Sequence, residues 1–484
     1  MGKIERGRLD FTWEIRYHNR YDYPGKGPVW KGSGGSPACF FMKIQLSDHF
    51  NYARLFRFTL PSIAMMLVTS VYSIVDGIFI SNVEGDVALA AVNIVYPLPM
   101  VVGAFGFMLG TGGSAEVARV MGAGEGEKAK QYFTTLILAI LAVGVAISAL
   151  CIAFMRPLCG TLGADETMLE ACVTYGTIMV AGSFAFMLQT SFQSFCVVAE
   201  RPKMGLWLSL AAGGTNMALD YLFIARFHWG VAGAALATVC GYLVGGMIPL
   251  VYFLLPNKSP LRLVRTRLYP RMLGKACTNG SSELMTNISA SLVTVLYNRT
   301  LMEMVSSQGV AAYTAMMYVQ FIFVAVLIGF SMGSAPIFSY QYGAGNEGEL
   351  KSLFSKCLRV ILVQSVVMTA AAILLAEPLA NIFVGYDADL LALTVGGFRI
   401  FAVSFLFCGI NIFGSSFFTA LGDGGVSAAI SFLRTLLFQA GAILLLPRVL
   451  EVDGIWWATV LAEGLSLLVT LCFFHGKKGK YHYA

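Results

Sequence analysis

Residues 57–82 read RFTLPSIAMMLVTSVYSIVDGIFISN, a run apolar enough to cross a bilayer yet carrying one carboxylate, Asp76, near its far end. A bilayer's hydrocarbon core is crossed by ~20 helical residues. Placing a charged Asp there costs about 3 kcal/mol or more on insertion scales, so such residues face polar cavities and handle ions or protons. The rest of the chain reads as the means of building that cavity.

The 484 residues are 57% hydrophobic and only 12% charged, with a mean hydropathy of +0.71. That balance belongs to a polytopic membrane protein rather than to several soluble domains. Long apolar runs recur at spacings suited to helices, without the alternation of barrel strands, so the expected fold is an all-α bundle. The net charge of +6 does not point to nucleic acid, because the basic residues sit in short loops between spans. The ten cysteines are scattered, with no CxxC pair, and no HExxH occurs, so neither a disulfide framework nor common zinc chemistry is expected. No metal or other cofactor is expected beyond a coupling ion.

Twelve spans are expected, near 55–80, 88–121, 130–155, 168–194, 204–225, 230–255, 272–302, 309–341, 352–376, 390–420, 426–447 and 453–474. From residue 42 onward, twenty Lys and Arg fall on one set of alternate loops and span ends. The other set holds four: Arg156, Arg226, Arg299 and Arg448. The positive-inside rule then puts both termini in the cytoplasm, which an even number of spans requires. The expected organisation is a polar N-terminal extension (1–41), with Met42 a possible true start; a first lobe (42–255); a basic linker (256–271); a second lobe (272–475); and a basic tail (476–484). The localisation expected is the cytoplasmic membrane.

A shift of 221 residues aligns Gly112 with Gly333, then Gly122-Ala123-Gly124 with Gly343-Ala344-Gly345, then Lys130 with Lys351 and Phe133 with Phe354. No gap is needed. Six spans separate the copies, so the two six-helix lobes enter the membrane in the same direction and are related by a pseudo-twofold axis along its normal. A cavity between the lobes follows.

Within the stretch TNMALDYLFI (215–224), Asn216 and Asp220 lie four apart and share a helical face. A carboxylate with an amide one turn away suits a proton or Na⁺; the bland alternative is a helix-capping Asp that never titrates. Tyr72, one turn before Asp76, is placed to donate to it. Gln189 and Gln193 share a face of the fourth span and could line the same cavity or glue helices together. In the second half, Glu283, Asn287 and Asn298 lie in the seventh span, and Met316 and Met317 offer a pliable apolar surface for cargo, although lipid-facing packing explains most such side chains. Arg434 and Glu463 fall near mid-depth and are expected to pair, because unpaired charges in lipid are costly.

VDGIFISN (75–82), the two GAG copies, GSAPIFSYQYGAG (333–345), TNMALDYLFI and AERPK (199–203) together resemble the multidrug and toxin extrusion (MATE) family over essentially residues 42–475. The resemblance implies a secondary exporter, not an enzyme, that moves amphipathic and often cationic drugs outward in exchange for H⁺ or Na⁺. It also implies that Asp76, Asn216 and Asp220 form a cation site in the first lobe. Branches with a second-lobe site place a Glu deeper in the seventh span and an Asp in the tenth. Here Glu283 comes about two turns earlier and the tenth span offers Arg399 instead, so a second-lobe site is in doubt. The partners expected are drugs and the lipid bilayer, with no nucleic acid, and the chain is expected to act as a monomer. Two rival readings are a flippase for a lipid-linked precursor and, remotely, an intramembrane aspartyl protease in which Ala420-Leu421-Gly422-Asp423 echoes GxGD.

Overall fold

The computed structural model describes residues 44–83, 92, 94–162, 164, 166, 168–385 and 387–484, except for the side chains of residues 73, 75–83 and 307. The extension 1–41 lies outside the described residues. Among those described, every regular element is helical. The first half comprises α1 (Tyr52–Val83), α2 (Pro97–Gly122), α3 (Gly126–Ala153), the short α4 (Met155–Thr161), α5 (Leu169–Ala181), α6 (Ser183–Val198), α7 (Pro202–Asp220) and α8 (Gly230–Leu254). The second half comprises α9 (Pro270–Met304), α10 (Ser307–Gly343), α11 (Glu347–Leu374), the short α12 (Ala376–Val384), α13 (Ala388–Ala402), α14 (Phe405–Ala420), α15 (Gly424–Phe432), α16 (Gln439–Leu445) and α17 (Pro447–Tyr481).

Eight of the described helices are each long and apolar enough to cross a membrane, counting Gly424–Leu445 as one. The fourth and tenth spans are bent pairs, α5–α6 at 48° and α13–α14 at 50°. The remaining two spans, α7 with its π-helical turn Tyr221–Arg226 and α9, fail on apolarity alone. They are the spans that carry Asn216, Asp220, Glu283, Asn287 and Asn298. Polar side chains concentrated in two spans of an otherwise apolar bundle mark where the bundle tolerates water or ions.

Local chemistry sets the helix ends. Proline opens α2, α7, α9 and α17, where its missing N–H costs nothing; the expected start of the second span near residue 88 lies outside the described residues. Asn346, Asp387 and Asp423 cap α11, α13 and α15 through their side chains. The two GAG copies are helix stops of one design. Gly124 (φ +81°) and Gly345 (φ +66°) turn left-handed, and the next amides, Glu125 and Asn346, donate back to Val120 O (3.1 Å) and Gln341 O (3.0 Å).

The duplication extends to burial. The membrane-spanning windows of α2 and α10 are each 67% buried, and those of α3 and α11 each 28%. Thus α2 and α10 form the centre, while α3 and α11 meet lipid with side chains such as Leu138, Val145, Val363 and Val366. The halves touch through glycine. A methyl group at Gly122 would run into Tyr340 O, and one at Gly343 into Arg119 O; Gly112 and Gly280 similarly bring α2 against α9. Small residues allow such close approach in a membrane, where burial from lipid gives helices little drive to associate.

Segments outside the spans are anchored to the bundle. Leu46 and Phe50, ahead of α1, are fully buried in a core built mostly from second-half residues, joined by Leu55, Phe58 and Ile63 of α1 and Val197 of α6. Leu46 N–H donates to Glu200 of the first half (3.2 Å), and Gln341 of the second donates to Leu46 O (2.9 Å). Residues 476–484 extend α17 to Tyr481 and bury Tyr481 and Tyr483. The linker packs back on the first half, with Leu261 fully buried and Val264 N–H on Thr134 Oγ1 at 3.0 Å.

Candidate functional site

Helix α7 carries the run Ala212-Gly213-Gly214, whose small side chains let neighbouring helices come close; the Gly213 α-carbon faces the Tyr72 ring of α1. Directly beyond, Asn216 (3% exposed) and Asp220 (0%) project into the protein interior. Asp220 is the last residue of α7 before the π-helical turn, an irregularity frequent at functional sites. Asn216 Nδ2 donates to Thr238 Oγ1 of α8 at 3.4 Å, and Thr238 in turn donates to Ala234 O at 3.1 Å. Asn216 Oδ1 and Gln189 Oε1 are buried with no hydrogen-bond partner among the described residues. Buried polar atoms left open in this way are costly unless water or an ion completes them.

They border two small cavities. One, of about 10 Å³, is lined by Tyr72, Gln189, Asn216, Thr238 and Tyr242 among others. The second, also about 10 Å³, is lined by Gln189, Gln193, Cys196 and Ser209 among others. Gln189 stands between them. Each suits water or a small cation and is too small for a drug.

The structure thus brings Tyr72, Asn216, Gln189 and Gln193 to one polar interior, with Asp220 buried one turn beyond Asn216. The backbone of residue 76 continues α1 one turn past Tyr72, while the Asp76 side chain lies outside the described residues. Sequence reasoning missed Thr238 and Tyr242. Thr238 sits in the small-residue run GAALATVCGY, and a threonine there is ordinarily satisfied by its own helix, as this one also is. The polar partner across the helix pair was the available signal.

The second-half residues are distributed differently. Glu283 and Asn287 are partly buried on α9, with Asn287 Nδ2 turned to Glu283 O at 2.8 Å; Asn298 is also partly buried. Met316 (1% exposed) is packed inside the second-half core among Tyr313 and Phe323, with Met317 partly buried against it, so in this conformation Met316 meets core side chains and no open surface. Arg434 Nε donates to Glu463 Oε1 at 2.7 Å, and Asn411 Nδ2 to Glu463 Oε2 at 2.8 Å. Asp423 accepts from Tyr481 OH (2.7 Å) and caps α15, with Lys477 and Lys480 at 3.5 and 3.6 Å. These contacts hold it as a structural carboxylate, which leaves the protease reading no nucleophile-activating aspartate there.

Comparison with known proteins agrees with this architecture. The MatE family model matches twice, over residues 61–222 and 284–442, once in each half. The multidrug export protein MepA of Staphylococcus aureus (strain MSSA476) is 22% identical over 424 residues, 87% of this chain and 92% of that protein. MepA of Staphylococcus haemolyticus (strain JCSC1435) is 21% identical over 439 residues, 90% and 95% of the two chains. Among solved structures, an outward-facing conformation of a multidrug resistance MATE family transporter of the MOP superfamily superposes with a TM-score of 0.84 at 21% identity, covering 89% of this chain and 96% of that one. A MOP superfamily transporter from Pyrococcus furiosus, described as having a binding pocket of reverse polarity, gives 0.82 at 21% identity, covering 88% and 96%. Twelve spans in two matching halves, the polar fifth and seventh spans, and a family model that recognises each half separately lead to one conclusion: the chain belongs to the MatE family.

Proposed function

We propose that this protein is a secondary multidrug exporter of the cytoplasmic membrane that moves amphipathic, often cationic compounds outward in exchange for H⁺ or Na⁺. The buried Asn216–Thr238 pair beside Asp220, bordering a cavity of ion or water size, carries the reading. A carboxylate held out of water binds a proton or a small cation more avidly when one is offered than an exposed carboxylate does, and Asn216 Oδ1 supplies a neutral oxygen donor. Asp76, one turn past Tyr72, is assigned to the same site. Relatives named as multidrug export proteins support the cargo class.

The close contact of α2 with α10 through Gly122 and Gly343 lies at the end of the bundle richest in Lys and Arg, which the positive-inside rule assigns to the cytoplasm. This supports an outward-facing state. Cation loading from outside the cell would change the packing of α1 on α7 and α8, and transport follows if the two access states differ in affinity for cation and drug. Rocking of one lobe against the other would exchange them.

The test is ethidium efflux from drug-hypersensitive cells and inverted vesicles under separate H⁺ and Na⁺ gradients, comparing wild type with Asp76→Asn and Asp220→Asn. Gradient-driven efflux lost in both variants supports the site and identifies the ion. Efflux that persists in both moves the coupling site elsewhere, with Glu283 next. If the wild type exports no cationic drug, the lipid-precursor flippase takes precedence.

A further inference from the structure

The second half carries a counterpart of the first-half polar cluster. Superimposing the halves needs a small change of register along the chain, which the backbone itself supplies. Spans one and seven align at 221, because α1 meets α10 at Thr59 and Gly333 as α9 meets α2 at Gly280 and Gly112. Spans six and twelve also align at 221, where Gly230 (φ +61°) and Glu451 (φ +51°) both take a positive φ. Spans four and ten, and the start of five and eleven, align at 222. There Arg201 N–H on Cys196 O (2.8 Å) matches Asp423 N–H on Phe418 O (2.9 Å). The π-helical turn Leu433–Phe438 then inserts one residue into span eleven.

With this register, Thr238 corresponds to Thr459 and Asn216 to Gln439. Gln439 Nε2 lies 3.4 Å from Thr459 Oγ1, the same separation as Asn216 Nδ2 from Thr238 Oγ1. The two carboxylate positions have lost their charge: Asp76 corresponds to Tyr297, whose hydroxyl pairs with Thr459 at 2.8 Å, and Asp220 to Ile443. Three residues lining the first-half cavity, Gln189, Ala212 and Tyr242, correspond to Asn411, Arg434 and Glu463. What is open space beside Ala212 in one half is filled by a guanidinium in the other.

That guanidinium is held on two sides. Arg434 Nε bonds Glu463 Oε1 (2.7 Å) and Nη2 contacts Cys408 Sγ (3.3 Å). Asn411 Nδ2 bonds Glu463 Oε2 (2.8 Å), and Thr470 donates to Asn411 Oδ1 (2.9 Å). The ionisable groups facing it are Glu463 from span twelve, Cys408 from span ten and, within electrostatic range, Glu283 from span seven. We propose that Arg434 is the second lobe's built-in monovalent cation: it occupies the repeat copy of the polar cavity, satisfies Glu463 permanently, and leaves the first lobe as the half that reads the ion gradient. The inference rests in part on the first-lobe site proposed above, but its central claim, that a cation would bind at Glu463 if Arg434 were absent, stands apart from it.

The experiment uses the purified full chain in nanodiscs, with ²²Na⁺ binding and the infrared carbonyl band of a protonated carboxyl as readouts. R434Q is expected to gain one equivalent of bound Na⁺ or of carboxyl proton per chain over wild type. The gain should vanish when E463Q is added and should not appear in R434K. It should persist on an Asp76→Asn/Asp220→Asn background, so that failure of the first-lobe reading, seen as efflux indifferent to those two changes, stays separate. A folded R434Q that gains neither ion nor proton, or a gain that survives E463Q, overturns the proposal. Stranding one partner of a buried pair is destabilising whereas replacing both with apolar residues is often tolerated, so R434M/E463L serves if R434Q does not fold. It should bind no extra cation and keep ion-driven ethidium efflux; a folded R434M/E463L that has lost ion dependence overturns the assignment.

Discussion

Arg119 and Tyr340, 221 residues apart, hold the same place in the two halves, and each presents its backbone carbonyl to the other half's glycine: Tyr340 O to Gly122, Arg119 O to Gly343. The contact is self-complementary, as a twofold axis demands, and it closes one end of the inter-lobe space.

Adding volume at that contact should therefore bias the transporter. Gly343→Ala or Gly122→Ala forces α2 and α10 apart, at an overpacking cost of about 1–3 kcal/mol. Set against two access states, that corresponds to a shift of ~5–150-fold in their ratio. Spin labels on the outer ends of α1 and α9 should report closure of the outer side, and ethidium export should fall while the protein remains in the membrane. An unchanged distance distribution would show that the contact does not hold the state.

The neutral donors of the first-half site should matter less than its carboxylates. Asn216→Leu removes the oxygen donor proposed for the ion together with the bond to Thr238, and a twofold to tenfold loss of ion-driven efflux is expected from an interaction of about 1 kcal/mol. Thr238→Val should cost about the same, and the double variant little more than either alone, because the two share one bond. Additive losses would separate them.

The anchored N-terminal segment should be essential to stability. Leu46→Ala and Phe50→Ala each remove a fully buried side chain, at about 2–5 kcal/mol. A lowered melting temperature in detergent is the measurement. Glu349→Gln should act in the same direction, since Glu349 accepts from His49 Nδ1 (2.6 Å) and from Phe50 N–H (2.9 Å).

Asp423 gives a pH signature. Burial raises its pKa, but the Tyr481 hydrogen bond and the charges of Lys477 and Lys480 outweigh burial and hold the carboxyl below its ordinary 3.8. A depressed folded-state value means that the stabilisation is complete above the unfolded value and is lost as pH falls through the folded one. Thermal unfolding of Asp423→Asn should therefore differ from wild type above about pH 4 and converge with it in stronger acid. Equal separation at all acidic pH values would mean that packing, not charge, holds Tyr481.

Much of the architecture was legible because lipid makes a sequence explicit. Span count, the duplicated halves and the helix-ending glycines follow from apolar length, charge placement and a single shift. The pairing of Asn216 with its own face was also legible, since four-residue spacing fixes a helical face. Thr238 was not, because a partner across two helices leaves no periodic mark. The bends within spans four and ten fall at Gly182 and at Val403-Ser404, without a proline to announce them. Met316 looked like cargo surface because Met suits both a binding groove and a core, and only the packing around Tyr313 and Phe323 distinguishes the two. The counterpart of Asn216 was hidden for a different reason: the π-helical turn in span eleven displaces the register by one, so no constant shift finds Gln439.

Leu46 ties the two halves together. Its amide is committed to Glu200 and its carbonyl to Gln341, on opposite halves of the molecule, so lobe rotation that separates those anchors has to break one link or drag the segment along. A fluorophore on the exposed neighbour Ser47 would then act as a strain gauge, registering each transport stroke from outside the substrate path.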